Sequence, residues 1–193
     1  MLKYCKLLLL SAACSSLNSC AVVAVGAVGA LAATGAAVGS DPRSGGSLLD
    51  DNGIQTKLAL KYANSSDFPE ANVYVDVYNK AVLLTGQVKT TEQKHFAATV
   101  AKAYPGVIQV YNYLEVRLPS SAGVRSKDAV ITTQLKAQLL ATSNVSSNDI
   151  KVETTNAVVY LMGMVTTATA ESATRVAAKV GGVTRVVTLF NYK

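Results

Sequence analysis

"AVLLTGQV" at residues 81–88 and "VVYLMGMV" at residues 158–165 are the same phrase written twice, each with its glycine in sixth place. A short apolar run of this kind, bounded by turn residues, reads as a buried central strand. Its return asks whether the surroundings return with it. They do: a shift of 77 positions pairs Asp51 with Asp128, Ile54 with Ile131, Leu58 with Leu135, Val75 with Val152, Asn79 with Asn156, Gly86 with Gly163 and Val88 with Val165. At a shift of 76, Gly106-Val107 pairs with Gly182-Val183, and Val110 with Val186. A colinear repeat this long predicts two tandem domains, residues 47–118 and 124–193, joined by "PSSAG" at residues 119–123.

On either side of the central strand, each copy shows the same order. Ile54, Leu58 and Tyr62 recur every fourth residue, as do Ile131, Leu135 and Leu139, and this spacing predicts an amphipathic first helix. Alternation at Val73, Val75 and Val77, and at Ile150 and Val152, predicts a strand with one buried face. Asp76 and Glu153 share a position on it and read as a solvated edge. An asparagine turn, Asn79 or Asn156, leads into the central strand. A second helix is expected around 91–104 and 168–180, then a Gly-Val turn into a last strand over 108–117 and 184–192. The fold class is therefore α+β: helix, strand, strand, helix, strand, with a hairpin, a crossover to a parallel third strand, and two helices covering one face of a three-stranded mixed sheet. Gly86 and Gly163, unfavourable inside strands, are expected to be structural, at a bulge or at a close approach of helix to sheet.

The 193 residues are half apolar, enough for a core. All three cysteines, Cys5, Cys14 and Cys20, fall in the first twenty residues, so none can staple the domains. "MLKYCKLLLLSAACSSLNSC" has a basic start, a short apolar run and then small residues, the layout of a signal peptide over 1–19. Leu17-Asn18-Ser19-Cys20 resembles a bacterial lipobox, with Cys20 as the acylated residue and Cys14, after Ser11-Ala12-Ala13, as the rival. Residues 20–46 then read as a lipidated N-terminus and Gly/Ala-rich tether, closed by "SDPRSGGS" at residues 40–47.

The "V-x-L-x-G-x-V" strand and the "G-V-x-x-V" turn, set in this element order, resemble the BON domain. With the lipobox, the tether and the two copies, nearly the whole chain is similar to dual BON-domain outer-membrane lipoproteins of the DolP type. That resemblance implies a protein anchored in the outer membrane, facing the periplasm and supporting envelope integrity. It also implies binding of anionic phospholipid by the first helix of the second domain; docking to outer-membrane assembly proteins is the alternative, since the same helix face could meet protein instead of lipid.

The residues themselves point to no enzyme. There is no phosphate-binding loop, dinucleotide fingerprint, zinc-helix motif or nucleophile elbow. The one histidine, His95, is matched by Ser172 in the other copy. No metal, cofactor or nucleic-acid partner is expected. Charge separates the copies: residues 47–118 hold seven basic and seven acidic groups, residues 124–193 eight and four. If Ile131, Leu135 and Leu139 face the core, then Val130, Thr133, Ala137 and Leu140 face away, with Lys136 at their flank. The first copy has Gly53, Thr56, Leu60 and Ala63 there, with Ala59 in place of Lys136. The stripe can lie on lipid headgroups, pack on the first domain, or be merely solvated. Arg175 and Lys179, with Glu171 one turn before Arg175, can add a basic rim. Relatives often carry tryptophan where this chain has Val130, so the interfacial aromatic anchor is absent.

Overall fold

The computed structural model describes residues 43–193 apart from residue 144. The signal peptide, Cys20 and nearly all of the tether lie outside the described residues. Four helices start at a hydroxyl that accepts a backbone N–H from the first turn, which satisfies a donor the helix itself cannot. Ser44 caps α1 (Gly45–Asn64), Thr90 caps α2 (Thr91–Lys102), Ser121 caps α3 (Ala122–Leu140) and Thr166 caps α4 (Thr167–Lys179). The strands are β1 (Asn72–Tyr78), β2 (Ala81–Val88), β3 (Gln109–Asn112) and β4 (Glu115–Val116) in the first copy. The second copy has β5 (Ile150–Thr155), β6 (Val158–Val165) and β7 (Arg185–Tyr192).

In both copies the central strand pairs antiparallel with its hairpin partner and parallel with the last strand. The α+β architecture, two tandem units with two helices on a mixed sheet, is as the repeat predicted. The first helix packs Ile54, Leu58 and Tyr62 into one core, and α3 packs Ile131, Leu135 and Leu139 into the other. Both hairpin turns place two residues at positive φ, Asn79 and Lys80 in one, Asn156 and Ala157 in the other, as a tight two-residue turn of matching twist requires. A buried carboxylate ties each turn to its helix. Asp51 accepts the N–H groups of Asn79 and Lys80 at 2.6 and 2.8 Å, and Asp128 accepts those of Asn156 and Ala157 at 2.9 and 2.8 Å.

Four expectations change in detail. The last strand of the first copy is broken between Asn112 and Glu115, because the Asn112 side chain donates to Lys94 O and accepts from Leu114 N while Leu114 turns into the core. The strand glycines answer to different neighbours, Gly86 to the backbone of strand β1 and Gly163 to the end of the short 3-10 helix Ser147–Asp149 that leads into β5, and neither to one of the two covering helices. A Cβ on Gly86 would overlap the Asn72 carbonyl, and one on Gly163 the Asp149 carbonyl; Gly86 alone also sits at positive φ, +109°. Strand β1 is buried on both faces from Val75 to Tyr78, not on one. Asp76 and Glu153 are accordingly not at a solvated edge.

The cause of the last two is the packing of one sheet on the other. The faces free of helices meet, Tyr78, Ala81 and Leu83 against Val158, Tyr160 and Met162, with the Tyr113 and Tyr160 rings 5.1 Å apart. Polar groups knit the seam: Tyr78 Oη accepts Met164 N–H at 3.2 Å, and the Thr85 and Thr155 hydroxyls lie 3.1 Å apart. Residues 119–121 are held as well, since Ser120 N donates to Gln87 Oε1 and the Ser120 hydroxyl to Asn156 Oδ1.

Candidate functional site

Helix α3 turns its core set inward every fourth residue, and 100° per residue leaves the predicted stripe on the far side. Val130, Thr133, Lys136, Ala137 and Leu140 are all exposed, Val130 by 52% and Leu140 by 70%. The first domain does not cover them, because the domains meet through their sheets. Thr133 donates its hydroxyl to Ala129 O at 2.9 Å, which satisfies the polar atom within the helix. Lys136 forms no salt bridge among the described residues. A cation thus stands beside aliphatic side chains that no protein surface occupies.

The outer face of α1 also exposes aliphatic carbon and charge, with Leu49 at 73% and Lys57 exposed, but it holds Gly53 and Ala63 where α3 has Val130 and Leu140, and Ala59 where α3 has Lys136. Gly53, Thr56 and Ala59 are half-buried; Leu60 at 44% and Ala63 are exposed. On α4, Arg175 is 3.6 Å from Glu171, both solvent-exposed, so that pair contributes little, while Lys179 forms no salt bridge among the described residues. Gly86 and Gly163 lie inside the sheets and present nothing to a ligand.

Two groupings were not anticipated from the sequence. The first is a polar cluster inside the seam. Lys151 of β5 reaches the first domain, 3.0 Å from Asp76 Oδ1, and donates to Gln55 Oε1 at 2.7 Å. Glu153, two residues on, has no such cation to itself. Burial, and then the Asp76 charge, push its carboxyl up to about 8, against the pull of Lys151 and Lys136. The signal was the shared position of Asp76 and Glu153, which means an edge only if that face meets water.

The second is an open cleft on the second domain between the start of α3, the β5–β6 turn and the α4–β7 turn, with Lys127, Val130, Ile131 and Gly182 on its walls and Arg117 at its rim. Among the described residues no group of His, Cys, Asp or Glu is placed to hold a metal ion, and no helix is long and apolar enough to cross a membrane.

The BON domain family model matches residues 50–117 and 127–193. The chain is 36% identical over 188 residues to the outer membrane lipoprotein DolP of Haemophilus influenzae, covering 97% of this chain and 95% of that protein. It is 36% identical over 153 residues to the 21 kDa hemolysin of Actinobacillus pleuropneumoniae, covering 79% of each. It is also 34% identical over 155 residues to the osmotically-inducible protein Y of Escherichia coli, covering 79% of this chain and 77% of that one.

Proposed function

The chain belongs to the BON family as a tandem of two BON domains, and from that premise we propose that it is a non-catalytic outer-membrane lipoprotein whose second domain binds anionic phospholipid through α3. Cys20 carries the acyl anchor, residues 20–46 form the tether, and both domains face the periplasm. The similarity to an outer membrane lipoprotein over almost the full length of both chains supports the location. The observation that carries the binding reading is the unoccupied apolar stripe of Val130 and Leu140 beside Lys136.

The physics favours a helix lying in the headgroup layer. Burying exposed aliphatic carbon is worth about 25 cal/mol per Å². Each Lys or Arg near a charged leaflet adds about 1 kcal/mol. The acyl chains would keep the domains close to the bilayer, so a weak patch suffices to orient them. The first domain is neutral and acts as a scaffold that the sheet seam fixes to the second. The pair supports envelope integrity by reading lipid composition, without turning over a substrate.

Co-sedimentation of residues 43–193, which contain both cores and the seam, tests this. Binding to phosphatidylglycerol vesicles, little binding to phosphatidylcholine vesicles, and loss on Leu140→Glu are expected. Equal binding to both vesicles would sink the mechanism. A crosslinked envelope protein that survives Leu140→Glu, with no vesicle binding, would transfer the function to protein docking.

A further inference from the structure

The two copies treat one place differently. In the first domain Lys80, on the β1–β2 turn, lies 3.9 Å from Asp50 of α1 and bridges the gap between turn and helix. In the second domain the equivalent residues are Ala157 and Lys127. The bridge is gone and its acidic end has become a cation that forms no salt bridge among the described residues. Pro105, on the neighbouring turn of the first domain, is replaced by Gly181. The frames otherwise correspond, since Gly106 faces Ile54 and Gly182 faces Ile131. The second copy thus has neither the bridge nor the proline ring at the place where its cleft lies.

The first domain contributes a second cation to this cleft. Arg117, just past β4, lines it beside Lys127 and Val130. Its position is set across the seam: Glu115 is 3.3 Å from Arg117 and accepts the Asn156 side-chain N–H at 2.9 Å. Asp128, in the same wall, is buried with each carboxylate oxygen engaged by a turn N–H. The walls are thus cationic at the mouth and aliphatic along Val130 and Ile131. A phosphodiester with a small hydroxylated substituent fits that chemistry, because Arg and Lys donate to the phosphate oxygens while Ser126 and Gln134 of the same lining can meet the hydroxyls.

We infer that this cleft seats a single phosphodiester headgroup between Arg117 and Lys127, so that both domains contribute to lipid recognition. The inference rests on the lipid-binding reading of α3 and adds a discrete site to its diffuse stripe.

The test uses the full chain, isotope-labelled, in maltoside micelles that contain no phosphate, titrated with glycerophosphoglycerol and separately with inorganic phosphate. Saturable shifts at Lys127, Val130, Gly181 and Gly182 with the diester are expected. The double variant Lys127→Asp with Ala157→Lys, which rebuilds the first copy's bridge, should bind at least about tenfold more weakly. Arg117→Gln, at an exposed position, should lose about fivefold. Inorganic phosphate binding as tightly as the diester would overturn the headgroup assignment. Unchanged diester binding in both variants would overturn the site. The same chain in phosphatidylglycerol and phosphatidylcholine nanodiscs separates the two readings. If the anionic discs still perturb residues 130–140 while the diester shifts nothing, the cleft is refuted and the α3 reading stands. If those discs perturb neither, the α3 reading falls, and the headgroup assignment with it.

Discussion

The first and second domains agree in the frame of each core and differ most where they touch solvent. Each has a hydroxyl cap on both helices, a three-residue helical core set, an aspartate holding the hairpin turn and a glycine in the central strand. Yet α1 holds Gly53, Ala59 and Ala63 and a bridged turn where the second domain has Val130, Lys136 and Leu140 and an open cleft beside Lys127. A duplicated core is constrained by packing, which tolerates little change in volume. A surface is constrained only by solubility, so it is the part that could specialise.

The comparison can be tested first in the cores. Leu58→Ala and Leu135→Ala remove equivalent, fully buried side chains. Each should cost about 2–5 kcal/mol, with the two domains losing thermal stability alike. A much smaller loss at one would show that the cores are not equivalent. The glycines should divide the copies. Gly86→Ala adds a backbone overlap at a positive φ, Gly163→Ala the overlap alone, so the first should be more destabilising by about 1 kcal/mol. Equal melting temperatures would contradict that.

The seam should respond to pH through Glu153. Its folded carboxyl is raised to about 8 from an ordinary value of 4.5, so the folded state keeps a proton that the unfolded state releases. Stability from this group is therefore full below about pH 4.5 and is lost as pH rises through about 8, on the order of 1 kcal/mol per unit between. Melting curves at pH 6 and pH 8 should show the drop in the native protein and a smaller one in Glu153→Gln. Identical slopes would remove Glu153 as the cause. The smallest effect on the fold, and the sharpest on the division of labour, comes from the outer faces. Leu60→Glu and Leu140→Glu should each change stability by under about 0.5 kcal/mol. Only Leu140→Glu should abolish binding to phosphatidylglycerol vesicles. Loss with Leu60→Glu as well would mean that the first domain shares the lipid surface.

Much of this was legible in order. The repeat placed the four α-helices and the hairpin and parallel strands in their order, because helical and strand periods leave separate signatures. The outward stripe on α3 could be read because core and surface faces of a helix are fixed by angle once the core set is known. Asp76 and Glu153 were misread for a definite reason. Alternation reports which residues share a face, and says nothing about what that face meets. The break at Tyr113-Leu114 was hidden too, since it depends on Asn112 reaching Lys94 on another element. The cleft left a trace, the change of Asp50 and Lys80 to Lys127 and Ala157, but a pair across two elements is not a pattern along one.

The duplication, the element order, the buried face of each helix and the imbalance of charge between copies all follow from the order of amino acids. These are local or periodic properties that each segment carries alone. Packing of the whole chain is what sets the sheets face to face, puts two carboxylates and one lysine in the seam, leaves the α3 stripe uncovered, and brings Arg117 of one domain to the border of a cleft of the other. Those depend on which surfaces remove the most apolar area from water once both domains have formed, and that choice is made between segments far apart in the chain.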